Sequence, residues 1–180
     1  IELRGRGNAT VDAIRRAILK VGAGTAFAVT SCLVFENTAL TPSVDGIPGK
    51  AFEVVVLGGA DQALFDTILA VKPAGIEAHG STIGTAADSM GISHVIKFTR
   101  PAQKNIWLDL DVLVDPALWP LDGPDRVRAA IVGDAPYYVL GMDVRPWRIG
   151  AVLDVVPGIL QVTAIRLGLA PVPVGTSTIP

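Results

Sequence analysis

The chain has 180 residues, of which 50% are hydrophobic and 18% are charged, and its formal net charge is −2. This composition excludes an intrinsically disordered chain, and the lack of any Lys/Arg run argues against a nucleic-acid partner. The mean hydropathy of +0.49 is high. No apolar run reaches the roughly 18 to 20 residues of a membrane helix, so we expect no membrane partner. We expect the excess apolar surface to lie in interfaces with other proteins.

The single cysteine and the first residue of the chain bear on its cellular context. Cys32 has no second cysteine to pair with, which favours a reducing compartment, and we predict that it is a buried small hydrophobe. The chain begins with Ile1 and shows no signal-peptide layout. We therefore interpret it as a fragment of a longer protein.

The first elements are predicted from caps and hydrophobic spacing. Residues 1–9 are polar and read as a linker. Thr10 is a good N-cap for a helix whose apolar face carries Val11, Ile14, Ile18 and Val21. A strand is predicted over 26–36, with Phe27, Val29, Leu33 and Phe35 on one face. Residues 37–49 are predicted to form a loop that serves as an exposed contact arm.

A second strand over 51–57 leads through Gly58-Gly59 into a helix. Asp61 is predicted to cap this helix, and its inward residues are Leu64, Ile68 and Val71. Pro73-Ala74-Gly75 ends the helix. Residues 76–80 are expected to be extended, 81–91 to form a second exposed turn, and 92–99 to form a strand.

Thr99-Arg100-Pro101 is the predicted boundary between two modules. Beyond it, residues 105–115 alternate between an apolar face and a face with Trp107, Asp109 and Asp111. The remaining predicted elements are a helix after Asp122 and Pro124, an irregular stretch over 134–145, a helix from Pro146 to about Val155, a strand over 159–168 and an extended tail.

These elements predict an α+β fold of two small modules, each a few-stranded sheet packed with helices. The first module spans 10–100, after the linker 1–9. The second spans 101–180 and includes the extended C-terminal tail.

Gly58-Gly59 stands between a strand and a helix, where a phosphate could bind at the helix N-terminus. The segment lacks the Lys-Ser/Thr of a P-loop and the third glycine of a dinucleotide fingerprint. A plain tight turn is the favoured interpretation of the pair. A small-ligand or phosphate-binding domain that uses this turn is the alternative function.

Several carboxylates and both histidines are candidate catalytic or metal-binding groups. Asp109, Asp111 and Asp115 could bind a divalent cation, but a solvated strand face is the simpler interpretation. His79 and His94 have Ser81 and Ser93 nearby in sequence, without the Gly-x-Ser-x-Gly motif of hydrolases. We assign no catalytic residue, metal or cofactor, and we expect that the protein is not an enzyme.

Large aromatic side chains are the candidate anchors of a protein interface. The alternative for each of them is local packing, because tryptophan is usually mostly buried. The candidate interface residues are Phe35, Glu36, Asn37, Trp107, Trp119 and Trp147.

An ordered set of short motifs resembles the baseplate J-like family, the wedge proteins of contractile phage tails such as those of Mu-like phages. The set is Glu36-Asn37, Gly46-Ile47-Pro48, Val55-Val56-x-Gly58-Gly59, Lys72-Pro73-x-Gly75-Ile76, Gly80 and Phe98-x-Arg100-Pro101. Gly141-x-Asp143-Val144 and Val156-Pro157-Gly158 resemble the C-terminal part of that family. The resemblance covers nearly the whole chain, as the central and C-terminal portion of longer members.

The resemblance implies a non-enzymatic structural role. Family members form baseplate wedges that join into a ring around the hub, and the ring changes shape to trigger sheath contraction. The implied partners are other copies of the chain, a second wedge protein and a small baseplate protein with a lysozyme-like fold. The implied location is the virion tail baseplate, made and assembled in the cytoplasm of the bacterial host.

Overall fold

A computed structural model describes residues 10–171 of the chain. They divide into two compact units, the first ending at Ala102 and the second beginning at Gln103. Each unit combines short strands with helices, which confirms the expected α+β fold of small modules. None of the helices within the described residues has both the length and the apolar character needed to span a membrane. The predicted linker 1–9 and residues 172–180 of the predicted tail lie outside the described residues.

The described part of the first unit, residues 10–102, contains two helices and five strands. In chain order they are α1 (Val11–Ile18), β1 (Val29–Asn37), β2 (Ala51–Gly58), α2 (Asp61–Val71), β3 (Glu77–His79), β4 (Thr82–Ala87) and β5 (Ser93–Phe98). The order of the first sheet is β1-β2-β3, in which β1 and β2 are antiparallel and β2 and β3 are parallel. Strands β4 and β5 form an antiparallel hairpin.

The chain after β5 returns to the first sheet through Thr99. The Val56 amide donates to the Thr99 carbonyl at 3.0 Å, and the Thr99 amide donates to the Val54 carbonyl at 2.8 Å. Thr99 therefore pairs with β2 just beyond the residues that pair with β3. This connection places the start of the predicted boundary segment inside the first unit.

The core of the first unit lies between the sheets and the two helices. Ile14 and Ile18 of α1 and Leu64 and Ile68 of α2 are buried in it, as their spacing predicted. The Phe65 ring of α2 packs against the Phe98 ring of β5, with 5.1 Å between the ring centroids. The other buried members are Val29, Cys32, Phe52, Val54, Val56, Ala78, Ala86 and Ile96.

The predicted faces of β1 are wrong in part. The register with β2 shifts between Val29 and Ser31, a β-bulge that moves the buried face by one residue. Beyond the bulge Cys32 is buried, as predicted, while Phe35 is exposed. The burial of Cys32 raises the pKa of its thiol to about 11, so this cysteine is an inert core residue.

Two other local predictions in the first unit need correction. Residues 81–91 are mostly strand β4 and not a turn, because pairing with β5 and packing against α2 order a Thr/Ala-rich stretch. Asp61 does not cap α2: the N-cap position is Ala60, and the Asp61 carboxylate pairs with Arg100 at 2.5 Å. The cap at Thr10 is confirmed, since its hydroxyl accepts from the Ala13 amide at 3.2 Å.

The second unit contains β6 (Trp107–Val114), α3 (Gly123–Gly133), α4 (Pro146–Val152) and β7 (Ile159–Gly168), with single 3-10 turns at Ala135–Tyr137 and Leu153–Val155. Strands β6 and β7 form a two-stranded antiparallel sheet with two register shifts. Leu108 and Leu110 of β6 pack toward Ile149 and Leu167, as the alternation predicted. Asp122 stands at the N-cap position of α3, but its carboxylate pairs with Arg126 instead of capping.

Candidate functional site

Asn37 organises the loop that follows β1. Its side-chain amide donates to the carbonyls of Thr41, Ile47 and Pro48 at 2.8, 2.9 and 3.1 Å, and its Oδ1 accepts from the Ala39 amide at 3.0 Å. Only 8% of Asn37 is exposed. The prediction that Asn37 is an interface residue is therefore wrong, because its polar atoms are used to fold the loop back on itself.

Arg100 organises the Gly58-Gly59 turn, as Asn37 organises the loop after β1. Its guanidinium donates to the carbonyls of Gly58 and Gly59, the latter at 2.8 Å, and to the Asp61 carboxylate. The same group lies 4.9 Å from the centroid of the Phe98 ring. Arg100 therefore joins the end of β5 to the turn between β2 and α2.

The two glycines of this turn have structural reasons to be glycine. Gly58 and Gly59 have φ values of 83° and 78°, in the left-handed region that disfavours other residues. A Cβ at Gly59 would lie 2.7 Å from Cγ2 of Val29. The turn presents its carbonyls to Arg100, and carbonyl oxygens repel a phosphate. This geometry favours the tight-turn interpretation.

Asp109 and Asp111 share the outer face of β6 with a basic residue of β7. Arg166 Nε lies 3.2 Å from Asp109 Oδ2, and its Nη2 lies 2.5 Å from Asp111 Oδ2. Asp115 is elsewhere, at the end of the strand, where it accepts from the Ala117 amide at 2.9 Å. Among the described residues, no group of three or more His, Cys, Asp or Glu side chains could hold a metal ion.

The two histidines face different carboxylates. His94 Nε2 lies 3.0 Å from Asp88 Oδ2 at the turn of the β4–β5 hairpin. His79 Nδ1 is buried, has no hydrogen-bond partner among the described residues and lies 3.8 Å from Glu53 Oε2. The Ser81 amide bonds to Thr99 Oγ1 at 3.3 Å. These contacts do not assemble the serine, histidine and carboxylate set of a hydrolase.

The three tryptophans occupy different environments. Trp107 is 47% exposed beside the Asp109 and Asp111 face of β6, and Trp147 is 65% exposed at the start of α4. Trp119 is half-buried: a Cβ at Gly123 would overlap its indole ring, and one at Gly158 would lie 2.7 Å from its backbone nitrogen. Trp119 thus packs locally, whereas Trp107 and Trp147 are available for contact.

Phe35 and Glu36 remain exposed at the end of β1. Phe35 alternates with Val34, which packs toward the core, so the Phe35 ring projects from the sheet face opposite the helices. Leu57 of β2 is exposed on this same face. One face of the first sheet is therefore covered by α1 and α2, and the other presents apolar side chains.

An apolar cavity in the second unit was not predicted from the sequence. It is partly open to solvent and has a volume of about 320 Å³. Its lining residues are Ile106, Leu108, Ile131, Val132, Asp134, Ala135, Tyr138, Val144, Ile149, Val152 and Leu167. The half-buried alternation of β6 is the sequence feature that could have predicted this cavity, because Leu108 needs covering side chains that a two-stranded sheet cannot supply.

The Asp134–Arg148 ion pair lies at the edge of this cavity. Arg148 Nη2 and Nε donate to the two Asp134 oxygens at 2.7 and 3.1 Å, and the guanidinium lies 3.4 Å from the centroid of the Tyr137 ring. Desolvation, and then the Asp134 charge, raise the pKa of Tyr138. Hydrogen bonding to Asp134 raises the pKa of Arg148. The two charges compensate each other, so the edge of the cavity is close to neutral.

Comparisons with known proteins contribute no family assignment. No protein-family model matches the chain, and no curated protein matches it. The function is therefore inferred from the residues and their geometry.

Proposed function

We propose that the chain is a structural component of a contractile-tail baseplate, a wedge subunit that acts through protein–protein contacts. Its partners are other copies of itself, a second wedge protein and a small baseplate protein with a lysozyme-like fold. It works in the virion tail baseplate of a phage or prophage, after assembly in the bacterial cytoplasm.

The observation that carries this proposal is the interlocking of the motifs that resemble the baseplate J-like family. Asn37 bonds to the carbonyls of Ile47 and Pro48. Arg100 bonds to those of Gly58 and Gly59. These contacts join separate pieces of the motif set, and those of Arg100 span about 40 residues of sequence. Such contacts are expected when an ordered set of short motifs marks one fold.

Two other contacts extend the same argument. Gly80 has a φ of 157°, and a Cβ at this position would overlap the backbone of Phe98. Lys72 Nζ donates to the Ile76 carbonyl at 3.3 Å across the Pro73-Ala74-Gly75 stop. The motif residues therefore stabilise the fold of the first unit. This supports a structural role over a ligand-binding one.

Exposed apolar side chains supply the second support. Phe35 and Leu57 share one face of the first sheet, Trp107 and Leu113 share the outer face of β6, and Trp147 stands on α4. Tryptophan is among the residues that dominate the binding energy of protein interfaces. A subunit that works by assembly needs surfaces of this kind, since a stable interface buries roughly 1,200–2,000 Å².

Locating the chain in purified tail particles tests the proposal directly. An epitope tag on the chain, produced in its native host with the particle genes, should give immunogold label at the baseplate end of negatively stained tails. Tails that carry no label while the tagged chain stays in the free protein fraction would contradict a wedge role.

Substitution of an exposed tryptophan tests whether assembly uses these surfaces. Trp147→Arg should reduce incorporation into particles at least tenfold, because a buried unpaired charge disrupts an interface, and it should leave the thermal midpoint of the isolated chain unchanged. Leu121→Arg, at a fully exposed apolar position, is the matched control and should incorporate normally. Equal incorporation of both variants would remove Trp147 from the proposed interface.

The alternative function has its own test at the Gly58-Gly59 turn. Inorganic phosphate or ATP is added to the isotope-labelled chain, and the amide resonances of Gly58 and Gly59 are followed. We expect no saturable shift, because the Asp61 carboxylate at the start of α2 already pairs with Arg100 and would repel an added anion. A saturable shift centred on these two glycines would favour the ligand-binding alternative.

A further inference from the structure

We draw no further inference here: the strongest candidate, the apolar cavity lined by α3, α4 and the β6–β7 sheet in the second unit, carries nothing because nothing in the described residues shows what fills or covers it.

Discussion

Asn37 and Arg100 are polar side chains that hold backbone segments together in the first unit. Each donates to at least three carbonyls: Asn37 to Thr41, Ile47 and Pro48, and Arg100 to Val56, Gly58 and Gly59. Loops carry unpaired carbonyls that must be satisfied when they pack against a core. These two residues supply the donors for the long loop and for the Gly-Gly turn.

We predict that a negative charge at position 37 destabilises the long loop. Asn37→Asp replaces the donating amide with a carboxylate that faces three carbonyl oxygens. We expect the free energy of unfolding to fall by about 2–4 kcal/mol, because the carboxylate oxygen that replaces the amide nitrogen would be buried against carbonyl oxygens without a donor. Urea unfolding followed by circular dichroism measures the change.

The neighbouring Glu36 provides the control for this prediction. Glu36→Gln also changes the charge by one, but Glu36 is exposed, so its effect should stay within about 0.5 kcal/mol. If Asn37→Asp were as stable as Glu36→Gln, the three hydrogen bonds of Asn37 would not hold the loop.

Gly84 is a glycine whose constraint is steric. Its φ is not in the left-handed region, but a Cβ built there would overlap the ring of Phe65. We expect Gly84→Ala to lower the free energy of unfolding by about 1–3 kcal/mol through overpacking between β4 and α2. Chemical denaturation of the purified variant measures this loss.

A double-mutant cycle separates this clash from a backbone effect of alanine. The cost of Gly84→Ala should shrink in a Phe65→Leu background, because the shorter side chain removes the ring atoms that a Cβ would meet. An unchanged cost in that background would show that the Phe65 ring is not the cause.

At the scale of elements, the β4–β5 hairpin depends on the side chain at its turn. Asp88 Oδ1 accepts from the amides of Met90 and Ile92 at 2.9 and 3.0 Å, and Oδ2 meets His94 at 3.0 Å. Asp commonly bonds to the backbone two residues on in turns of this kind. These Asp88 contacts at the turn of the hairpin therefore stabilise strand β4, which local composition did not predict.

The charge on Asp88 should give the hairpin a measurable pH dependence. Hydrogen bonding to His94, and then to the Ile92 and Met90 amides, lowers the pKa of Asp88 below its ordinary value near 3.8. A group whose pKa is lowered in the folded state stabilises the fold at pH values above its unfolded-state pKa. This contribution is lost as the pH falls through its folded-state pKa. The wild-type thermal midpoint should therefore decline in that acid range.

Comparison with Asp88→Asn isolates this contribution. The pKa of Glu77 is also lowered, mainly by its hydrogen bond to Lys97, but Glu77 is present in both chains and cancels in the difference. The gap between the two thermal midpoints should narrow as the pH falls below the ordinary value of Asp88. A gap that stays constant down to strongly acid pH would exclude Asp88 as its source.

The two units have cores of unequal size. The first unit buries apolar side chains from two helices and five strands. Among residues 103–171, the buried apolar side chains are Ile149, Leu153, Val156 and Leu167, of which only Leu153 is fully buried. Because burial of apolar surface is the main stabilising contribution to folding, the second unit has less to hold it together.

Hydrogen exchange should distinguish the two units. We expect the backbone amides of β6 and β7 to exchange faster than those of β1 and β2, because local opening costs less free energy where fewer apolar groups are buried. Exchange followed by NMR on the intact chain reports both sheets in one sample. Protection of β6 and β7 equal to that of β1 and β2 would contradict the argument from core size.

Much of the secondary structure follows from local sequence. The helix spacing of Ile14, Ile18, Leu64 and Ile68 predicted the buried faces of α1 and α2, and the alternation from Leu108 predicted the inner face of β6. The Thr10 cap was equally readable. These features depend on residues close in sequence, whose periodicity or hydrogen-bonding chemistry is visible without a fold.

Sequence patterns alone therefore predict the class of fold, the helix faces and most of the strands. Three other features depend on long-range contacts: Asn37 points inward, Asp61 pairs with Arg100 instead of capping, and the Thr/Ala-rich stretch after Gly80 is a strand. The reason is physical: Arg100 and Asp61 are 39 residues apart, and the partner of a polar group is chosen by whatever donors and acceptors the folded chain brings beside it.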